Sequence, residues 1–333
     1  MPFARNCWYM FGWTHEFTPD ELLARRVAGL AVVAYRNRNG EVVAFEDRCC
    51  HRHAPLSRGA LEGDGLRCGY HGLKFGDDGR CIDIPGQDRI PETLRVRKYP
   101  TYEHKDMVFV WLGNQDAIED AELPDFYWHD SDDWCGRPRL THAKANYELI
   151  VDNILDFSHL AWLHGDSFGT PSASSAKGQV TRDGDDIRLR YIYEATPITP
   201  FHQKLTGYEG KVDREHVISW RYPGIVWVEN RYWAAGNRDA RPIFEVRSTH
   251  FLTPETESTT NYFWTHANRA DCGSDEQMDL TYEVVTHAFQ GEDLPMIEAQ
   301  QTHIDPETRM RAVYWDEAPA LARQISARNI EAE

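Results

Sequence analysis

The chain lacks any apolar run close to the roughly 18 residues that a helix needs to cross a bilayer. Its longest runs, "LAVVAY" and "MVFVWL", are strand-sized. Its first residues, "MPFARNCWYMFGW", hold one arginine and no long apolar block ahead of a small-residue cleavage site, so no signal peptide is expected. Positive charge is scarce. The 36 Lys and Arg against 53 Asp and Glu leave a net charge of −17, which argues against nucleic acid and anionic membrane as partners. That surface suits solubility, or docking a protein with a basic patch. The chain also lacks a flavin or nicotinamide Gly-rich βαβ fingerprint and a plant-type cysteine set, so no reductase is built in. Internal repeats and low-complexity tracts are absent. What remains is an ordinary soluble composition, 41% hydrophobic and 27% charged, long enough at 333 residues for two cores.

The seven cysteines, an odd count with no secretion signal, point to a reducing cytosol, where clustered Cys more often bind metal than pair. Cys49 and His51 are separated by one residue and Cys68 and His71 by two, with sixteen residues between the pairs. Two thiolates and two imidazoles could hold zinc. Zinc fingers, however, pair Cys with Cys and His with His, whereas here each arm supplies one of each. That pattern suits a binuclear centre in which one iron takes both sulfurs and the other both imidazoles, as in a Rieske [2Fe–2S] cluster. Gly69, Gly72, Gly76 and Gly79 would let backbone amides approach the bridging sulfides.

The string "DRCCHRHAPLSRG…LRCGYHGLKFGDDGRC" resembles the N-terminal domain of Rieske non-haem iron oxygenases, with the vanillate O-demethylase and dicamba monooxygenase branch most similar. Cys50 stands where relatives usually carry Pro and is read as a third, non-ligating thiol. His53 is expected to be a packing or polar surface residue. Tyr70 occupies the place of the disulfide-forming Cys of respiratory-chain Rieske proteins, so the resemblance implies the lower-potential oxygenase type.

"NYELIVDNILDFSHLAWLHGDSF", Asn146 to Phe168, repeats apolar residues at helical spacing. Asp152, Asp156 and His159 are four and three apart, which stacks them on one helix face. His164 lies five beyond His159, about 140° around an ideal helix, so two imidazoles on one metal need a distortion or a helix end between them, with Gly165 a plausible stop. Asp-x3-Asp-x2-His-x4-His resembles the mononuclear iron motif of the same oxygenases. Two His and one carboxylate with open positions form the facial triad for Fe(II), although such a set also binds zinc. By resemblance to the downstream family segment, "AFQGEDLPMIEAQQ" supplies the carboxylate, with Asp293 first, Glu292 next and Glu298 third. The resemblance also implies that Asp156 bridges His159 to His71 of a neighbouring subunit in a head-to-tail ring, commonly a homotrimer. Asp152 and Asn153 are expected to support the ligands from behind, or, for Asp152, to be a solvated helix surface.

An α+β architecture is expected. Residues 1–120 read as an all-β [2Fe–2S] domain, with "RNRNG" turning a hairpin. A polar, acidic linker follows over 121–139, then a catalytic domain over 140–333 of antiparallel sheet and helices around a cavity. "DIRLRYIYE" alternates, a hairpin turns near Pro254–Thr256, and a helical region starts near Asp275. The aromatic residues Trp227, Tyr232, Trp233, Phe251, Tyr262 and Trp264 read as sheet core, or as a lining for a planar substrate. His250, in "STHFLTPETE", and Asn230 fall where relatives place polar substrate contacts. A cationic or hydrogen-bonding His250 would favour a carboxylated aromatic, and His266 is the alternative.

Taken together, the resemblance implies the cytoplasmic oxygenase component of a monooxygenase. Electrons from NAD(P)H would arrive through a separate reductase, with or without a ferredoxin, at the cluster and then at the mononuclear Fe(II), where O2 oxidises a small aromatic compound. O-demethylation with formaldehyde release leads. Ring or methyl hydroxylation is the alternative, and a non-oxygenating electron-transfer or redox-sensing protein is the reading from another class.

Overall fold

The structure is a computed structural model and describes residues 3–63, 65–119, 121–165, 168–169, 176–272, 274–305, 307–308 and 310–333, with no side chain for Cys272. Asp166 and Ser167 of the second motif therefore lie outside the described residues. The chain divides into two compact units, Met1–Pro124 with Thr253–Glu257 and Glu333, and Asp125–Leu252 with Ser258–Ala332.

The first unit is built from three small antiparallel sheets. Strands Leu30–Arg36 and Val42–Glu46 pair from Val32↔Glu46 to Arg36↔Val42. The turn between them is set by Asn37, whose side-chain oxygen accepts from the N–H groups of Asn39 (3.0 Å) and Glu41 (2.8 Å). A second sheet runs Ala60–Leu61, Gly65–Arg67, Lys74–Gly76, Cys81–Asp83. Val33, Phe45, Leu56, Leu66 and Phe75 bury against one another, and Cys49 and Cys68 belong to the same core.

The second unit carries one eight-stranded sheet. Its order is Trp134–Cys135, Thr259–Arg269, Phe244–Thr256, Ile225–Ala234, Lys211–Arg221, Asp186–Pro197, Gln179–Asp183, and Arg139–Ala143 also pairs with Thr259–Arg269. Part of the segment expected as a linker thus supplies strand residues to this sheet. The reverse turn of the long hairpin falls at Glu257–Ser258, just beyond the expected Pro254–Thr256.

Register makes cross-sheet rows of side chains. One row is Tyr193, Arg214, Tyr232 and Phe244, and the next runs Tyr191, His216, Asn230 and Val246. The inward phase of Asp186–Pro197 is buried at Ile187, Leu189, Tyr191 and Tyr193, as its alternation predicts. The outward phase is charged. Arg231 pairs with Glu215 (3.1 Å), Glu229 (2.6 Å) and Glu245 (3.0 Å), and Arg247 with Glu229 (2.8 Å) and Glu245 (3.0 Å).

Helix Tyr147–Ile154 starts at Asn146, whose side chain accepts from Glu148 N–H, and buries Tyr147, Leu149, Ile150, Val151 and Ile154. It stops earlier than the apolar spacing predicts. Asp156 adopts an extended backbone and its carboxylate accepts from Ser158 N–H (2.8 Å) and Ser158 Oγ (2.9 Å), capping a new tight turn, Phe157–His159. An aspartate that satisfies a fresh helix start competes with continuing the old helix. Asp152 and Asp156 consequently do not share a helix face. Asp152 instead accepts from Arg323 (2.5 Å) of helix Glu317–Ala332, and so is neither a support for the iron ligands nor a freely solvated group.

Downstream, helix Asp275–Thr286 opens with Ser274 and Gln277 capping each other. It widens to a π-turn over His287–Asp293 and tightens again as Leu294–His303. Pro295 has no N–H to give back to Gly291, which favours a break in the regular ladder at this point. Among the described residues no helix is long and apolar enough to cross a membrane.

Candidate metal centres and catalytic cavity

The two Cys/His loops are built alike. Cys49 N–H donates to Ala54 O and Cys68 N–H to Leu73 O, both at 2.8 Å. His53 N–H returns to Cys49 O (2.9 Å) and Gly72 N–H to Cys68 O (3.1 Å). Each return needs a left-handed residue, His53 at φ 58° and Gly72 at φ 74°. His53 is therefore the turn residue of its loop, exposed and matched to a glycine in the other. Gly69 lets the loops close, since a Cβ there would lie 2.4 Å from Arg58 O.

Within this frame both cysteines are 2% exposed, whereas His51 and His71 are exposed with ring centroids 4.6 Å apart. Burial first, and Cys68 nearby, push the Cys49 thiol up to about 11, so a cation is needed to hold the two sulfurs together as thiolates. Burial and the neighbouring His51 lower His71, which favours the neutral imidazole that a metal requires. The donor set thus fits a two-iron cluster with its sulfurs inward and its imidazoles at the surface. Cys50 is a free, half-buried thiol packed on the same core. Tyr70, 62% exposed, lies against His71 with centroids 3.8 Å apart.

In the second unit His159, His164 and Asp293 each offer a donor atom, all within 4.8 Å of one another. Both Nε2 atoms face the same Asp293 Oδ1, at 3.5 Å from His159 and 3.2 Å from His164. The other ring nitrogens are anchored. His159 Nδ1–H donates to Asp156 O (2.5 Å) and His164 Nδ1–H to Glu292 Oε2 (2.7 Å). Asn153 Nδ2 donates to Asp293 Oδ1 (3.2 Å). Such outer partners fix the tautomer and leave both Nε2 lone pairs aimed at one point.

Burial lowers His159. Burial alone would lower His164 too, but the carboxylates of Asp293 and Glu292 outweigh it and raise its pKa. The cluster fits a divalent cation with open positions. Among the three carboxylates weighed from sequence, Asp293 faces both imidazoles, Glu292 orients His164 from outside, and Glu298 accepts from Lys144 N–H elsewhere (2.9 Å). Asp156 touches His159 through its backbone carbonyl, its carboxylate being bound to Ser158.

The three residues line a largely apolar cavity of about 930 Å³, counted to its open mouth. Asn230, His250 and His266 line it as well, but they do not converge on one contact. His250 pairs with Val226 and Asn230 with Val246, so they stand four residues apart along the strands, roughly 13 Å. Asn230 Oδ1 accepts from His216 Nδ1 (2.6 Å). Both nitrogens of His250 are engaged, with Tyr262 Oη (2.7 Å) and Ser248 Oγ (3.0 Å). Burial drives His250 down to about 3 and His266 to about 4, so neither is a cation and the cationic reading of His250 is corrected. Among the described residues, Nδ1 of His266 has no hydrogen-bond partner. Of the six strand aromatics singled out from sequence, Tyr232 alone is among the described residues lining the cavity, where Tyr193 and Phe244 join it. Residues not singled out from sequence also line it, among them Arg214, His216 and Phe289. The alternation of "VDREHVISW", which places Arg214 and His216 in phase with Ile218 and Trp220, carried that signal.

Residues 7–100 match the Rieske [2Fe-2S] domain, and residues 143–332 match the vanillate O-demethylase oxygenase C-terminal domain. The chain is 36% identical to the toluene-4-sulfonate monooxygenase system iron-sulfur subunit TsaM1 of Comamonas testosteroni, over 99% of this chain and 98% of that protein. It is 29% identical to the vanillate O-demethylase oxygenase subunit of Pseudomonas sp. (strain HR199 / DSM 7063), over 99% and 96%. The crystal structure of dicamba monooxygenase bound to 3,6-dichlorosalicylic acid superposes with a TM-score of 0.93 at 25% identity, covering 100% of this chain and 99% of the other. A cluster-binding domain, a catalytic domain and full-length relatives agree, and the chain belongs to the oxygenase components of the Rieske non-haem iron monooxygenases.

Proposed function

We propose that this enzyme oxidises a small aromatic anion at a methyl-bearing position, O-demethylation of an aryl methyl ether leading. The observation that carries this is the convergence of His159 Nε2, His164 Nε2 and Asp293 Oδ1 on one point of an apolar cavity. Cys49, His51, Cys68 and His71 would hold the [2Fe–2S] cluster, and the triad would hold Fe(II). When bound, the iron supplies oxygen activation for insertion into a C–H bond. The protein's part is positional. Asp156 O and Glu292 fix the ring orientations, Asn153 fixes the carboxylate, and the apolar walls limit water at the reacting carbon. A hydroxylated methyl ether then collapses in solution to phenol and formaldehyde.

Electrons would come from NAD(P)H through a separate reductase, with or without a ferredoxin, because this chain has no flavin or nicotinamide fingerprint. The reading further includes a cytoplasmic homotrimer in which the Asp156 carboxylate bridges His159 to His71 of the next subunit. Its domains are 1–120 for the cluster and 140–333 for catalysis. Methyl hydroxylation is the second reading, favoured by the relative named for toluene-4-sulfonate, a compound with a methyl group and no ether.

The test supplies NADH, a surrogate reductase and O2 with methoxylated aromatic acids beside their methyl and unsubstituted analogues. Formaldehyde in proportion to NADH consumed is expected. An alcohol without formaldehyde moves the enzyme to the second reading, and oxygen uptake with no oxidised product sinks both.

A further inference from the structure

Strand Thr259–Arg269 turns its two phases to different neighbours. On one side Thr265 Oγ1 meets His129 Nε2 (3.2 Å). On the other, Tyr262 and Trp264 lie against Phe289, with ring centroids 6.3 and 5.2 Å apart, and Asn268 Nδ2 donates to Thr281 Oγ1 (3.2 Å). Advancing along the strand therefore means moving back along helix Asp275–Thr286, away from the π-turn that ends at Asp293. His266 belongs to this second phase, and its N–H donates to Tyr282 Oη (3.1 Å), which fixes its place. It stands four residues, roughly 13 Å, beyond Tyr262, and so toward the end of the cavity far from the triad.

The His266 ring lines the cavity at 9% exposure, and its buried Nδ1 has no hydrogen-bond partner among the described residues. The other histidines of the cavity are held by the protein. His202 Nδ1 meets Thr199 Oγ1 (2.6 Å), His216 Nδ1 meets Asn230 Oδ1 (2.6 Å), and both nitrogens of His250 are engaged. The triad imidazoles are anchored through Nδ1. A polar atom left without a partner in a buried ring weakens the fold, and a molecule that enters the cavity supplies what is missing. Burial drives the ring to about 4, so it meets such a molecule as an uncharged donor.

We propose that His266 is the specificity-determining contact for the far end of the substrate, its Nδ1–H donating to an oxygen carried para to the methyl-bearing group. This rests on the oxygenase reading above and deepens it, because it selects para-substituted aromatics over their ortho isomers. The length agrees. A span of roughly 13 Å takes a benzene ring substituted at opposite ends, once a hydrogen bond at one end and room for the reacting group at the triad are counted. Substituents on adjacent ring carbons reach only one of the two ends. An uncharged donor reads the position of the oxygen, so a carboxylate and an amide both qualify.

The test is titration calorimetry on the cluster- and iron-loaded enzyme without reductant. The probes are 4-chlorobenzoate, 4-chlorobenzamide, their 2-chloro isomers and chlorobenzene. The better para probe should bind at least about tenfold tighter than its ortho isomer and than chlorobenzene, and its identity tells whether the oxygen is charged. His266→Leu should weaken that probe about tenfold, the worth of one hydrogen bond, and leave chlorobenzene unchanged. His266→Asn, whose amide keeps a donor near the place of Nδ1, should recover part of the loss. Without ligand, His266→Leu should melt no lower than the native enzyme, since it removes a polar atom that the fold leaves unpaired.

Equal affinity for para and ortho probes in the native enzyme overturns the proposal. So does an equal loss for the para probe and chlorobenzene in His266→Leu. A lowered melting temperature of ligand-free His266→Leu also overturns it, because the ring would then be a structural part of the core. Should His266→Leu not fold, His266→Phe, a ring without nitrogens, decides by the same readings. No probe needs to turn over, so absent formaldehyde or alcohol would sink the oxygenase reading alone. Turnover with His266-independent binding of the para probes would sink this inference alone.

Discussion

The left-handed turn at His53 has its counterpart at Gly72, and a β-carbon there serves no role in holding a cluster. His53→Gly should keep the visible absorption and electron paramagnetic signature of the [2Fe–2S] centre and melt no lower than the native enzyme. Loss of the cluster would instead make His53 a ligand. Glu292 meets His164 at Nδ1, the ring nitrogen turned away from Asp293. Glu292→Ala should weaken Fe(II) binding by about 10- to 100-fold in a chelator competition while the cluster spectrum stays intact, and unchanged affinity would remove its orienting role. Adjacent carboxylates such as Glu292 and Asp293 are hard to separate from sequence, because which one turns inward depends on the wide turn they close. The Cys/His loops were legible because each Cys/His pair is local in sequence. Arg214 was not singled out, although strand alternation placed it inside.

At the scale of elements, strand Asp186–Pro197 followed its alternation, whereas the helix from Tyr147 stopped short of the length its spacing predicts. Asp152, Asp156 and His159 lie on one face only if a single helix runs through them. Whether it does depends on the side chain of Asp156 finding Ser158 N–H, a contest between cap and helix that periodicity does not weigh. Asp152 then serves to tie its helix to Glu317–Ala332 through Arg323, together with Glu148 (3.0 Å). Asp152→Ala should destabilise the fold by about 1–2 kcal/mol, seen as a lower melting temperature, because a partly buried guanidinium loses its main partner. Mononuclear iron content should not change. A loss of iron without a loss of stability would return Asp152 to the metal centre.

On the scale of the whole molecule, His202, His216, His250 and His266 are held neutral by burial. Above the ordinary histidine pKa near 6.5 neither folded nor unfolded chain protonates them, so they do not affect stability there. Below it the unfolded chain takes up protons that the folded chain refuses, until the folded values of about 3 for His216 and His250 and about 4 for His266 are reached. Stability should therefore fall on acidification from pH 6.5 to 5, by up to about 1.4 kcal/mol per pH unit for each histidine. A melting temperature that stays level over that range would contradict it. If the enzyme is a ring of subunits, Asp156→Asn should leave cluster, iron and assembly intact yet slow electron delivery to the mononuclear site, measured as cluster reoxidation in a single turnover. Full turnover would exclude the bridge.

The sheet of the second unit turns cavity-lining side chains to one face and interlocks Arg231, Arg247, Glu215, Glu229 and Glu245 on the other. Because strand alignment is secured from the back, inward side chains can be exchanged singly without unfastening their neighbours. A lineage built on this wall can thus change its diet in small steps, keeping its iron chemistry while trying new molecules against it.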